Sequence, residues 1–276
     1  MPDVIIDSFY KKMANVKFEA YGILDSNNQI HTLGTDSKII GRIFEMYAQP
    51  VFEEIAKENG YILKTPASQT VYPDFVLMKS ETSEEKIAID IKTTYINSDQ
   101  SAISFTLGSY GSYMRNNSKN IEYKYTDYSK HYVVGFVYKR NDSAQESRVY
   151  DYTDRSLIEF PYKDVKYFIQ EKHKIAGDKP GSGNTENIGS IVSRKFSDYE
   201  SGNGPFAKLG KEIFDIYWKY YPEYRASEKP YTSLGEFCDW LPEHIDSVEL
   251  LHAFERSAVC KKIEDYKQEC TVKQSI

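Results

Sequence analysis

Between residues 37 and 60 the apolar side chains Ile39, Ile40, Ile43, Phe44, Tyr47, Val51, Phe52 and Ile55 recur at three-to-four spacing. This period predicts a long helix, or two abutting helices that meet at Pro50. The pattern then changes. Tyr72-Pro73-Asp74-Phe75-Val76-Leu77-Met78 and Lys86-Ile87-Ala88-Ile89-Asp90-Ile91-Lys92-Thr93-Thr94 are two β-rich runs around the polar stretch 79–85, which predicts a hairpin. Further strands are expected over 132–138 and 165–169, and further helices over 209–220 and 247–266. Residues 176–190 are so rich in Gly, Asn and Ser that a long flexible loop without regular structure is expected there. Leu250, Leu251, Phe254, Val259 and Ile263 suggest an amphipathic C-terminal helix, packed on its own protomer or extending a dimer contact. Strands and helices are mixed, with antiparallel pairs, so the fold class is α/β of the α+β type.

Side chains alternate along a strand, so Ala88, Asp90 and Lys92 share one face of their strand while Ile87, Ile89 and Ile91 share the other. A hairpin symmetric about Thr82 sets Met78 against Lys86, Val76 against Ala88 and Asp74 against Asp90. The two carboxylates then lie about 4.5–5.5 Å apart at their β-carbons. Like charges placed opposite each other destabilise a sheet, and a divalent cation is the simplest compensation. Oxygen-only ligands favour Mg2+, with Mn2+ able to substitute. Beside such a metal, Lys92 could orient or deprotonate an attacking water and balance charge on a phosphorane-like transition state. Against this stands the plainer reading that Asp and Lys two apart on a strand are a solvated face carrying a weak ion pair.

Composition narrows the setting. A chain of 276 residues with 40% hydrophobic content can bury a substantial core, and one folding unit is expected. No apolar run approaches the length of a membrane span, and the first residues lack the pattern of a secretory signal, so a cytoplasmic protein with no membrane partner is expected. Cys238, Cys260 and Cys270 are odd in number and not spaced like a zinc site, which argues against a disulfide framework. The 24 tyrosines are spread too widely to imply a base-stacking platform. The net charge of -6 excludes a protein that holds DNA by general basicity; if DNA is the ligand, a bound cation and a local set of Lys and Arg must neutralise its phosphates.

Pro73-Asp74, a turn, and then Asp90-Ile91-Lys92 on an apolar strand form the pattern of the PD-(D/E)XK nuclease superfamily. The resemblance extends further, from about residue 17 to about residue 206. It runs through Tyr21-Gly22-Ile23, Leu33-Gly34-Thr35-Asp36-Ser37-Lys38, Ile43-Phe44-Glu45, the hairpin itself, Phe105-Thr106-Leu107-Gly108, Arg115-Asn116-Asn117-Ser118-Lys119-Asn120-Ile121 and Gly181-Ser182-Gly183-Asn184-Thr185. On these segments the chain resembles the EcoRV family of type II restriction endonucleases.

The resemblance implies a restriction-endonuclease-like fold, a central mixed β-sheet flanked by helices. It implies a catalytic and DNA-binding lobe (about 36–145 and 165–245), a dimerisation lobe (about 15–35 and 146–164) and, beyond the relative, a C-terminal helical extension (about 246–276). It further implies a homodimer that bends and cuts both strands of a palindromic double-stranded DNA site with Mg2+, leaving 5′-phosphate ends. The site suggested is GATATC, and a cognate DNA methyltransferase is expected in the same cell. By the same similarity Asp74 and Asp90 are metal ligands, the Ile91 carbonyl a further ligand, Lys92 the catalytic lysine and Glu45 an accessory carboxylate at the metal.

The segment Gly181, Ser182, Gly183, Asn184, Thr185 and Asn187 resembles the family's major-groove recognition loop. Glycines let a backbone approach base edges, Asn184 suits adenine, and the Thr185 methyl suits a thymine methyl. In the minor-groove loop Gln69 keeps the family amide, while Ser68 and Thr70 replace Gln and Asn. Lys38, Thr94, Thr106, Ser112, Asn117 and Lys119 match family positions near the DNA backbone, where hydroxyl, amide and ammonium donors suit phosphates. Ser37 and Gly111 each stand where the family has threonine. Glu186 also replaces a threonine; it either accepts from cytosine N4 or, the favoured reading, points to solvent. Trp218 and Trp240 align with family tryptophans. A structure-selective repair or recombination nuclease with the same core, and a sequence-specific DNA-binding protein that does not cut, are the alternatives.

Overall fold

The computed structural model describes residues 3–181, 186–248 and 253–274. The chain opens with helix α1 (Val4–Met13), the short strands β1 (Gly22–Leu24) and β2 (Gln29–Thr32), and helix α2 (Ser37–Asn59). Strands β3 (Ile62–Lys64), β4 (Phe75–Met78), β5 (Lys86–Tyr95) and β6 (Thr106–Ser109) follow. The middle of the chain holds β7 (Tyr128–Arg140), β8 (Val149–Asp151) and β9 (Tyr162–Glu171), then the single turn α3 (Lys172–Ile175), β10 (Ala176–Pro180) and β11 (Asn187–Ser190). Four helices close it: α4 (Ser197–Ser201), α5 (Gly210–Tyr220), α6 (Leu234–His244) and α7 (Ala253–Gln274).

The centre is a five-stranded sheet of order β3-β4-β5-β7-β9, in which β5 and β7 run parallel and the other neighbours antiparallel. Both of its faces are covered, which is why β5 and β7 are apolar on both sides. On one face Phe75, Leu77, Ile89, Ile91, Val134, Phe136 and Ile169 pack under α1 and α2. On the other, Val76, Ala88, Val133, Val137 and Phe168 join a larger core built with α4, α5, α6 and α7. The mixed sheet with flanking helices is the expected fold.

Helix α2 is one continuous helix through Pro50. Asp36 caps its first turn, accepting from the Lys38 and Ile39 amides at 2.8 and 3.2 Å, and Gly60 ends it in the left-handed conformation that glycine adopts without strain. Its buried residues Ile40, Phe44, Ala48, Val51, Phe52 and Ile55 form the stripe that the spacing predicts. Ile39 is exposed instead, at the edge of that stripe. Phe44 stacks on Phe136 of β7, with ring centroids 4.7 Å apart and an interplanar angle of 5°.

Two small sheets complete the architecture. One, β1-β2-β8, joins residues near the start of the chain to 149–151. The other, β10-β11-β6, corrects the expectation of a loop without regular structure for 176–180 and 187–190, while 182–185 lie outside the described residues. The glycines there permit close strand contact: a β-carbon at Gly189 would lie 2.7 Å from the Lys179 carbonyl oxygen, and one at Gly177 would lie 3.0 Å from that of Ser190. The Gly181 amide donates to the Asn187 carbonyl at 2.8 Å and closes the stem of the hairpin.

Helix α7 packs on its own chain. Val259 and Ile263 are buried in the core shared with α5 and α6, and Arg256 pairs with Asp246 at 2.7 Å, Lys267 with Asp239 at 2.5 Å. Leu250, Leu251 and the Phe254 side chain lie outside the described residues. Cys238 is buried and Cys260 half-buried. Among the described residues no helix is long and apolar enough to cross a membrane. Half of the 24 tyrosines, Tyr110, Tyr128, Tyr132 and Tyr138 among them, are core residues.

Because Phe44 is fully buried between α2 and β7, Phe44→Ala is expected to remove about 3–5 kcal/mol of stability. A lower urea midpoint with an unchanged m-value would register the loss.

Candidate active site

The β4–β5 hairpin pairs Met78 with Lys86, Val76 with Ala88 and Phe75 with Ile89, the register symmetric about Thr82. One step further along this register brings Asp74 to Asp90. Asp74 Oδ2 accepts from the Ile91 amide at 2.5 Å, so its carboxylate takes the place of a main-chain partner just beyond the end of β4. Asp90 is only 3% exposed, on the sheet face that Ala88 shares. Lys92 Nζ donates to Asp90 Oδ1 at 2.8 Å and to the Ile91 carbonyl at 3.3 Å. Burial of Asp90 rules out the plain reading of a solvated surface pair.

Two carboxylates sharing a dry corner disturb each other. Burial, followed by the charge of Asp90, pushes the Asp74 carboxyl up to about 7. Burial works to strip Lys92 of its proton, but Asp90 and Asp74 outweigh it and hold the ammonium above its ordinary range. Asp90 Oδ2 is buried with no hydrogen-bond partner. A buried carboxylate oxygen without a donor is costly, and a cation is the partner that this all-oxygen corner fits. Among the described residues no group of three or more His, Cys, Asp or Glu side chains gathers for a metal. The acidic groups set beside one another at this corner are therefore two, Asp74 and Asp90.

Behind the pair lies an aromatic floor that sequence reasoning missed. Tyr72 stacks on Tyr113 at 4.4 Å, and the buried Lys172 Nζ sits 4.0 Å from the Tyr72 ring centroid and 3.4 Å from the Tyr113 hydroxyl. Burial pushes the Lys172 ammonium down to about 8, against the pull of Asp90. Nothing local marks Lys172, which enters through the turn after β9.

The remaining candidates spread over three clefts around this corner. Glu45, Lys38, Gln69 and Thr93 line one cleft with Asp74, and the Glu45 carboxylate pairs with Arg42 at 2.5 Å. Gln69, Thr70, Ser112 and Asn187 line a second with Asp74, Asp90 and Lys92. Thr94, Thr106 and Gly181 line a third with Ile91 and Lys92. Asn117 and Lys119 lie outside these linings. Asn117 exchanges two 3.0 Å hydrogen bonds with Thr126, and the Lys119 carbonyl accepts from the Ser112 hydroxyl at 2.8 Å. Ser182, Gly183, Asn184 and Thr185 lie outside the described residues.

Glu186 corrects the expectation of a solvent-facing carboxylate. Its Oε2 pairs with Arg115 at 3.1 Å, and its Oε1 accepts from the Tyr224 amide at 3.0 Å. The space for it exists because Gly111, opposite, has no side chain.

The sequence matches the family described as Restriction endonuclease EcoRV over residues 14–242. It is 40% identical over 241 residues to the type II restriction enzyme EcoRV of Escherichia coli, an alignment that covers 86% of this chain and 96% of the relative. The chain belongs to the EcoRV family of restriction endonucleases. The β4–β5 hairpin lies within the matched residues, whereas α7 lies beyond them.

In this EcoRV-family site the raised Asp74 carboxyl has a measurable consequence. The folded chain keeps that proton up to about pH 7, while an unperturbed carboxyl loses it near 3.8. The folded state therefore binds more protons between these values, and the stability contributed by Asp74 falls as pH rises through that window. Thermal unfolding without divalent cations is expected to show the wild-type midpoint dropping relative to Asp74→Asn between about pH 4 and about pH 7. Added Mg2+ should narrow the gap; parallel profiles would show that Asp74 titrates normally.

Proposed function

We propose that this chain is a type II site-specific deoxyribonuclease that hydrolyses one phosphodiester bond in each strand of a palindromic double-stranded DNA site, leaving 5′-phosphate ends. The observation that carries this reading is the buried Asp74-Asp90-Lys92 corner with its unpartnered Asp90 oxygen. The family supports it, since its Escherichia coli relative is a type II restriction enzyme.

Asp74, Asp90 and the Ile91 carbonyl are the groups that would hold a divalent cation, Mg2+ by preference and Mn2+ in its place. When bound, the cation supplies Lewis acidity at the scissile phosphate. Lys92 is held as an ammonium by both aspartates, which suits it to orient the attacking water and to balance charge accumulating on the phosphoryl oxygens. The Ile91 amide fixes the Asp74 carboxylate, so the acid pair is set before substrate arrives. Glu45 adds negative potential from α2 that is felt at both Asp74 and Lys92.

The clefts beside this corner suit a nucleic-acid backbone. Lys38, Gln69, Thr70, Thr94, Thr106 and Ser112 offer ammonium, amide and hydroxyl groups to phosphates and sugars. Gly181 and Asn187 flank the segment proposed to read the major groove, Ser182 to Thr185, with GATATC the proposed site. Asn117 and Lys119 are proposed as further backbone contacts. The β1-β2-β8 sheet exposes Ile23, Leu24 and Val149, an apolar surface that supports the dimerisation lobe of about 15–35 and 146–164. A two-fold dimer matches a palindrome, since each protomer then meets the same half-site. Restriction implies a cognate methyltransferase in the same cytoplasm.

With Mg2+, the protein is expected to cut plasmid DNA into discrete bands whose ends map to one sequence. A smear, or cutting that follows DNA shape, would favour a structure-selective nuclease. Asp90→Ala is expected to abolish cleavage while gel-shift binding survives, because the proposed cation loses an anchoring charge and the DNA contacts remain. Lys92→Ala should lower kcat by about 10²–10⁴-fold. Unchanged cutting by Asp90→Ala would move the chemistry elsewhere.

A further inference from the structure

Glu186 ties together three segments that are far apart in the chain. It stands at the foot of the segment 182–185, one residue before β11, in the left-handed region at φ 49°, which a side chain other than glycine adopts only when its surroundings hold it. Its carbonyl accepts from the Tyr110 amide at 2.9 Å, the Gly111 amide at 3.2 Å and the Ser109 hydroxyl at 3.3 Å. Its carboxylate reaches the Arg115 guanidinium and the Tyr224 amide. Arg115 is itself fixed: it donates to the Tyr221 carbonyl at 2.6 Å, lies over the Tyr110 ring and has Glu223 at 3.7 Å as a second, more exposed partner.

The seat of this carboxylate depends on Gly111. A β-carbon there would lie 2.1 Å from Glu186 Oε2 and 2.9 Å from Glu186 Cβ, so any side chain at 111 evicts it. The same 109–115 turn carries Ser112 and Tyr113, which line the cleft of Asp74, Asp90 and Lys92. Glu186 thus directly follows, in the chain, the segment proposed for recognition, while its own carbonyl and carboxylate hold the turn that walls the catalytic corner. Both carboxylate oxygens are engaged, which leaves Glu186 poorly placed to read a base.

We propose that Glu186, seated against Gly111 and clamped by Arg115, is a positioning residue that couples the recognition segment to the catalytic corner and so sets cleavage specificity. The proposal rests on the restriction-endonuclease reading of the site above.

Glu186→Gln keeps the length and the backbone strain and removes the charge; Gly111→Ala removes the seat. Duplexes carrying the sequence that the wild type cuts, and each single-base variant of it, are digested by both variants and by the double variant. Each single change is expected to lower the ratio of cognate to variant cleavage by about tenfold, the equivalent of one charge-assisted hydrogen bond, with the loss at the cognate site in kcat rather than KM. The double variant should be no worse than the poorer single one, because both changes remove the same contact. Hydrogen exchange at the Tyr110 and Tyr224 amides, which requires no cleavage, should quicken in both variants. A wild type that cuts no duplex while exchange still responds would sink the restriction reading and leave the clamp standing. A wild type that discriminates, with variants that keep its ratio and its slow exchange, would overturn the role of Glu186. Strictly additive losses in the double variant would also overturn it.

Discussion

Two neighbouring carboxylates, Asp90 buried on β5 and Asp74 half-buried just before β4, are the constraint around which this protein is organised. Asp74 and Asp90 repel each other in a region that solvent does not screen, and the fold meets that repulsion with the Ile91 amide, the Lys92 ammonium and, one layer behind, Lys172. The compensation is incomplete. Asp74 still holds its proton far above the usual carboxyl range, and one oxygen of Asp90 has no partner. A corner left short of positive charge is one prepared for a cation, and the acidity of the chain as a whole makes such a cation more necessary wherever a phosphate must approach.

Rigid surroundings keep the acids in place. β5, which carries Asp90 and Lys92, pairs along its length with β7 and is covered on both faces, so Asp90 cannot relax outward without breaking the main sheet. Helix α2 packs on one face and brings Glu45 and Arg42 to the rim of the cleft with Asp74. On the other face the stacked rings of Tyr72 and Tyr113 form an aromatic floor to the cleft of Asp74, Asp90 and Lys92. The added helix α7 extends the core on that side and leaves the clefts themselves lined by residues of the family-matched segment.

The proposed division of labour follows from this layout. The groups proposed for the chemistry sit on and beside strands of the central sheet, while those proposed to read sequence sit on or next to the smaller β10-β11-β6 sheet. Two elements with separate hydrogen-bonded frameworks can vary independently, unless something joins them. Glu186 is such a junction, an ion pair that depends on an empty position on the facing turn.

How much of this was legible beforehand depended on the range of the contact. The hairpin register, the shared face of Asp90 and Lys92 and the buried stripe of α2 follow from local periodicity, because strands alternate every two residues and helices return every three to four. The acid pair could therefore be placed by counting from Thr82. Its burial could not, nor could Lys172, which arrives through the turn after β9. The strands 176–180 and 187–190 were misjudged because Gly177 and Gly189 looked like freedom, whereas in the folded chain they permit backbones to touch. Glu186 was misjudged because its partners, Arg115 and Tyr224, lie 71 and 38 residues away. Sequence by itself determined which elements form and which side chains share a face, since those are short-range properties of the backbone. Only the tertiary structure decided which charges are buried and what they meet, since burial is a property of the whole packed chain.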